Sequence, residues 1–129
     1  MHIAFYTNVS RNYYMAGRLA LPEGVSCAAY YVQGEDEWSP AHMRISAAAD
    51  AVLFLWMGTG LDRPFLQRAS AYLLSARKCH AFLVENSGAE RISHGMTDDD
   101  LMELRRYFRF DGEENVRGAM LYLAARFGG

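Results

Sequence analysis

The chain has 129 residues, of which 51% are hydrophobic and 22% charged, a composition typical of one globular domain rather than a disordered segment. Its formal net charge of −2 offers no positive field for nucleic acid or an acidic membrane surface, so neither is expected as a partner. The longest apolar run is too short to cross a bilayer, no leader peptide is evident, and two cysteines make no disulfide framework, so we expect a cytoplasmic protein.

Four short apolar runs predict the strands of a parallel sheet. They are Ile3–Tyr6, Val25–Val32, Ala51–Met57 and Ala81–Val84. Their apolar character is continuous rather than alternating, which is typical of strands that are covered on both faces.

Helical patterns separate and follow these runs. The first predicted helix spans about Arg11 to Leu21 and stops at a proline. The second opens at Ser39-Pro40, a hydroxyl N-cap followed by proline at the first helical position. The third begins after Asp62. Two further helices follow the fourth strand, the first opening at Thr97 with three aspartates in its first turn and the second near Gly112.

The order of these elements predicts one α/β domain over residues 1–129. We expect a three-layer, doubly wound sandwich around a four-stranded parallel sheet with the flavodoxin-like strand order 2-1-3-4. The terminal Gly128-Gly129 resembles the start of a linker, so the chain is expected to be the amino-terminal fragment of a longer protein.

In such a fold, ligands bind at the carboxyl ends of the strands, near the point where the strand order reverses. The polar or glycine residues that follow the first, third and fourth strands are therefore the candidate ligand-binding residues: Thr7, Asn8, Ser10, Gly58, Thr59, Gly60, Glu85 and Asn86. The first group lacks the glycine of a flavodoxin phosphate loop, and the second is not a GxGxxG motif. Structural capping and turning explain both groups as well as ligand binding does.

The sequence predicts no metal site and no catalytic residue. Cys79 and His80 are adjacent, so on a strand they point to opposite faces, and they lie at the amino end of the sheet. The aspartates at 98–100 are explained by helix capping, and Glu85 has no visible partner. No cofactor is assigned to this domain.

The two tryptophans and eight tyrosines are more than core packing needs, and Tyr13, Tyr14, Trp38 and Trp56 in part indicate a docking surface. Trp56 lies in a predicted strand, which favours a place in the core.

Residues 50–125 carry a family resemblance. Four segments carry it, and they follow one another along the chain: Asp50-Ala51-Val52-Leu53-Phe54-Leu55-Trp56-Met57-Gly58, the predicted strand Ala81-Phe82-Leu83-Val84, the stretch Gly112-Glu113-Glu114-Asn115-Val116-Arg117, and the closing Leu121-Tyr122-Leu123-Ala124. In order and spacing they resemble the amino-terminal region of the cobaltochelatase large subunit (the CobN type), a family related to the magnesium chelatase H subunit.

The resemblance implies a head domain of a subunit that holds a corrin-type tetrapyrrole while cobalt, or magnesium in the related branch, is inserted. ATP would be hydrolysed by separate AAA+ partner subunits, and the catalytic body would lie downstream of this chain. It implies a role in tetrapyrrole capture or subunit contact during cobalamin biosynthesis. Two alternatives are a free-standing flavodoxin-like module for a nucleotide or flavin, and a protein-interaction domain that uses aromatic loops and an arginine-rich helix end.

Overall fold

The computed structural model describes residues 1–34, 36–57, 64–84, 93–107 and 114–128. Strands and helices alternate along the first two thirds of the chain, and two helices close it. The elements are β1 (His2–Thr7), α1 (Ser10–Ala16), β2 (Ser26–Tyr31), α2 (Pro40–Ala48), β3 (Ala51–Trp56), α3 (Pro64–Ser75), β4 (His80–Val84), β5 (Ser93–His94), α4 (Asp98–Tyr107) and α5 (Glu114–Phe127).

The strands form one mostly parallel sheet in the order β2-β1-β3-β4-β5. The α/β class is confirmed, and the four parallel strands follow the predicted order. The predicted count of four strands was wrong. β5 pairs antiparallel with β4 through His94 opposite His80 and Ser93 opposite Ala81. Two residues are too few to show either an alternating or a continuous apolar pattern, so this strand could not be predicted from the sequence.

The two faces of the sheet pack against different helices because successive strand residues point to opposite sides. Ile3 and Phe5 face a core shared with α1, α4 and α5, which we call the α1–α4–α5 core. Ala4 and Tyr6 face a core shared with α2 and α3, the α2–α3 core. Residues 3–7 of β1 are completely buried, so both faces of this strand are covered in a three-layer sandwich.

Four aromatic rings cross the sheet in register within the α2–α3 core. Tyr30, Tyr6, Phe54 and Phe82 occupy paired positions on β2, β1, β3 and β4. Their ring centroids lie 5.1, 4.8 and 4.1 Å apart in that order, and each pair is stacked. We call these four rings the aromatic ladder. Burial raises the pKa of Tyr6 to about 12, and its hydroxyl is hydrogen-bonded to Ser46 Oγ at 3.1 Å.

Helix α1 is shorter than predicted. It ends at Ala16 rather than Leu21, with Gly17 at its C-cap, and Arg18 N–H then donates to Met15 O in a tighter turn. Leu19 and Leu21 suggested a longer helix because they extend the apolar pattern. In the structure they pack against the α1–α4–α5 core from non-helical backbone.

Helix α2 begins as predicted, with Ser39 at the N-cap and Pro40 at the first helical position. Its other end is held by Lys78, the one lysine of the chain. The Lys78 ammonium donates to Ala49 O at 2.6 Å and to Ala47 O at 3.2 Å. A cation at this end also suits the helix dipole, so the lone lysine has a structural role.

A buried carboxylate joins α4 to α5. Asp100 is 2% exposed and accepts hydrogen bonds from Thr97 N–H and Thr97 Oγ1, which caps α4 as predicted. Its other oxygen accepts from Tyr122 Oη at 2.6 Å and from Arg126 Nε at 3.1 Å. Burial alone would raise the pKa of Asp100 and is the largest influence, but the bonds from Tyr122 and Thr97, with Arg126, outweigh it and lower the pKa.

We expect Asp100→Asn to lower the free energy of unfolding at pH 7 by about 2 kcal/mol, because an amide cannot replace the charged acceptor of these bonds. The pKa of Asp100 is lower in the folded than in the unfolded chain. The stability it contributes is therefore complete above the unfolded value, about 4, and is lost as the pH falls through the folded value. Urea unfolding at a series of pH values measures this.

The matched control is Asp99→Asn, on the exposed neighbour in the same helical turn. It should change stability by less than about 0.5 kcal/mol. If Asp100→Asn lowers the free energy of unfolding by the same amount at pH 7 and pH 3, the stabilisation does not come from the charge of Asp100.

Candidate binding surface on helix α1 and strand β2

The predicted ligand-binding residues at the end of β1 are already bonded within the chain. Thr7 is completely buried, and its Oγ1 accepts a hydrogen bond from Val9 N–H at 3.0 Å. The Asn8 amide bridges to β3: its Nδ2 donates to Met57 O and its Oδ1 accepts from Met57 N–H, both at 2.8 Å. Ser10 is exposed at the first position of α1.

Asn8 therefore continues the pairing of β1 with β3 at the point where the strand order reverses. Each polar atom of the amide makes one of its two possible hydrogen bonds to the Met57 backbone, which holds the side chain against the neighbouring strand. Helix α1 also has only seven residues and lacks a side-chain cap. These bonds give no support to a phosphate cradle at Thr7–Asn12. The other predicted site residues, Gly58, Thr59, Gly60, Glu85 and Asn86, lie outside the described residues.

The predicted docking aromatics divide into two groups. Trp38 is 6% exposed and packs against Tyr6, Phe65 and Tyr72, so its assignment to a docking surface was wrong. Trp56 is buried in β3, in agreement with the core role that the sequence favoured. Tyr14, in contrast, is 64% exposed, and its ring meets the ring of Tyr13 edge to face.

Tyr14 lies on a surface with a distinct shape and charge. An open groove of about 370 Å³ on one flank of α1 is lined by Tyr14, Met15 and Leu19, with Arg11 and Arg18. A second groove of about 330 Å³, on the flank toward β2, is lined by Tyr13, Tyr14, Gly17, Arg18 and Ala29. We call the residues around both grooves the α1–β2 surface: Arg11, Tyr13, Tyr14, Met15, Gly17, Arg18, Leu19, Ala29 and Tyr31.

The charge of this surface is opposite in sign to that of the whole chain. Residues 10–18 contain two arginines and no carboxylate, although the chain has a net charge of −2. Arg18 forms no ion pair with any residue that the structure describes. Arginine and tyrosine side chains carry much of the binding energy at protein interfaces, since both offer broad contact area and hydrogen-bonding groups.

Sequence reasoning singled out Tyr13 and Tyr14 but not the arginines beside them. Within the predicted helix from Arg11 to Leu21 their spacing of seven residues would place both on one side, so it was an available signal. In the structure Arg18 lies just beyond the end of α1. That Ala29 and Tyr31 belong to this surface could not be predicted from the sequence, because it depends on β2 lying next to α1. The rings of Tyr31 and Tyr13 lie 6.0 Å apart.

Two titratable side chains outside this surface, His80 and Cys27, have pKa values that burial shifts. No group of three His, Cys, Asp or Glu side chains within the described ranges is placed to hold a metal ion. His80 is completely buried, with Nδ1 2.6 Å from Lys78 O, and burial lowers its pKa, with the neighbouring His94 acting in the same direction. Burial raises the pKa of Cys27 to about 12, which keeps that thiol protonated and unreactive.

Comparison of the chain with protein-family models, with curated proteins and with solved structures gives no match. Within the described ranges, no helix has the length and apolar character needed to cross a membrane.

We expect Asn8→Asp to lower the free energy of unfolding by about 1–3 kcal/mol. The carboxylate still accepts from Met57 N–H, but it cannot donate to Met57 O and repels that carbonyl. Thermal or urea unfolding measures the change. Ser10→Ala, on the exposed neighbour, is the control and should have almost no effect. Equal stability of Asn8→Asp and the parent chain would return Asn8 to the candidate ligand residues.

Proposed function

We propose that this chain is a non-catalytic binding domain that contacts its partner through the α1–β2 surface. The observation that carries the proposal is Tyr14, a large aromatic side chain left 64% exposed between two grooves and beside Arg11 and Arg18. Exposing such a side chain to water forgoes the stabilisation that burial would give. An exposed aromatic flanked by arginine is the arrangement found at binding hot spots.

The family resemblance of residues 50–125 indicates the kind of protein assembly in which this domain would act. In that setting the chain is the amino-terminal head domain of a cobaltochelatase-like subunit of cobalamin biosynthesis, and the α1–β2 surface is its contact with another part of the complex. The cobalt-inserting chemistry and ATP hydrolysis would then belong to the rest of that assembly. Nothing in the bonding of Thr7 and Asn8 favours the alternative of a flavodoxin-like flavin or nucleotide module.

One observation favours a second candidate function, the capture of a tetrapyrrole. The 370 Å³ groove is lined by Met15, Leu19 and Tyr14 together with Arg11 and Arg18. Its volume falls at the small end of the range of ligand sites. A flat apolar ring with carboxylate substituents would match this lining, because the ring would cover the apolar side chains while the carboxylates reached the arginines.

The main proposal predicts that Tyr14→Ala and Arg18→Glu each abolish partner binding, because one removes the exposed anchor and the other reverses the charge. The measurement compares the proteins retained by the immobilised chain and by each variant from an extract of the source cells. Met102→Ala is the matched control, since Met102 is a similarly exposed side chain on α4, at 61%. A partner retained equally by all four proteins would place the contact elsewhere.

Tetrapyrrole capture predicts that hydrogenobyrinic acid a,c-diamide quenches the fluorescence of Trp38 and Trp56 in a saturable titration. Arg18→Glu should weaken the interaction by roughly tenfold or more, the equivalent of one charge-assisted contact. Quenching that does not saturate, or that is the same in the variant, would remove this second candidate and leave the main proposal standing.

A further inference from the structure

Within the described residues, strand β2 pairs with another strand along one of its two edges only. Ser26 N–H donates to Met1 O and Val32 N–H to Thr7 O, both at 2.9 Å, so the even-numbered residues of β2 direct their backbone groups toward β1. Alternate residues of a strand direct these groups to opposite sides. Cys27, Ala29 and Tyr31 therefore direct theirs away from the sheet, and no described residue bonds to them.

Strand β2 itself carries none of the sequence features that normally protect an edge strand. Proteins usually cover such edges, shorten them, or place charges, prolines or bulges on them. β2 pairs with β1 over all six of its residues without a bulge, and its sequence, Ser-Cys-Ala-Ala-Tyr-Tyr, contains neither charge nor proline. The opposite edge of the sheet is formed by β5, which has only two residues. The long, unprotected edge is therefore the one beside the α1–β2 surface.

The groove next to this edge would receive side chains of an added strand. Ala29 directs its backbone outward and its small side chain toward α1, where it lines the 330 Å³ groove with Tyr13, Tyr14, Gly17 and Arg18. Alternate side chains of a strand paired with β2 would point to this same face of the sheet. Arg18, with no carboxylate on α1 to neutralise it, favours an acidic side chain there.

We propose that β2 accepts an extended segment of a partner protein as an added strand, with acidic and apolar side chains alternating along it. The inference rests on the proposed function and deepens it by naming the form and charge of the partner. A second copy of this chain fits less well, because it would bring the same arginines of both copies to one interface, where like charges repel. Main-chain hydrogen bonds would give affinity, and the groove would give specificity.

The test begins with selection of a displayed library of random ten-residue peptides against the 129-residue chain. We expect enrichment of sequences in which Asp or Glu alternates with apolar residues, and the synthetic consensus peptide then serves as the probe. Ala29→Pro removes an outward N–H and leaves the bonds to β1 in place, so it should weaken binding by roughly tenfold or more. Ala29→Ser keeps the N–H and is the matched control.

Amide exchange measured by NMR needs no substitution. It therefore tests strand addition to β2 even if Ala29→Pro does not fold. In the free chain, the amide protons of Cys27, Ala29 and Tyr31 should exchange faster than those of Ala28 and Tyr30. Bound peptide should slow the three outward protons selectively.

The remaining outcomes separate the two proposals. In one outcome, Tyr14→Ala and Arg18→Glu abolish binding of the peptide, but the bound peptide does not slow exchange of the outward amides. This outcome would overturn strand addition and retain the α1–β2 surface as the binding site. Enrichment of basic peptides, or of none, would overturn strand addition. Binding that all these variants leave unchanged would overturn both proposals. Protection of the outward amides without peptide, together with a dimer on gel filtration, would identify a second copy as the occupant.

Discussion

The aromatic ladder ties the four parallel strands to a single register. Tyr30, Tyr6, Phe54 and Phe82 stack ring on ring across β2, β1, β3 and β4, and each stacked pair contributes about 0.5–1.5 kcal/mol beyond the burial of its area. A slip of any of these strands by one residue would move its aromatic ring to the opposite face of the sheet and break the aromatic ladder. The packing of α2 and α3 depends on this, because Trp38 and Phe65 rest on Tyr6.

The same register determines which groups remain available at the margins of the sheet. It brings the Met57 backbone within reach of the Asn8 side chain, so the amide of Asn8 joins the ends of β1 and β3. It also leaves β2 paired on one side only, with α1 beside it. At the end of β1, Thr7 and Asn8 are thus bonded within the fold, whereas the two grooves lie beside an outer helix and an edge strand.

Local sequence signals predicted the elements that local interactions control. Ser39 and Pro40 were enough to place the start of α2, and Thr97 with Asp100 the start of α4, because caps are formed by neighbours in the chain. The bonds from Asp100 to Tyr122 and Arg126, 22 and 26 residues away, could not be predicted in this way. Nor could the ladder: β2 offers two adjacent tyrosines, and only the pairing with β1 selects Tyr30. Exposure of Tyr14 and the free edge of β2 are likewise consequences of tertiary packing.

Lys78 has a consequence for covalent modification of the domain. It is the only ε-amine in the chain, and both of its observed hydrogen bonds hold the last carbonyls of α2. Acylation would remove its charge and leave a single N–H donor, so at least one of those carbonyls would lose its partner. Acylation of Lys78 is therefore expected to weaken the end of α2 as well as to change the charge of the domain.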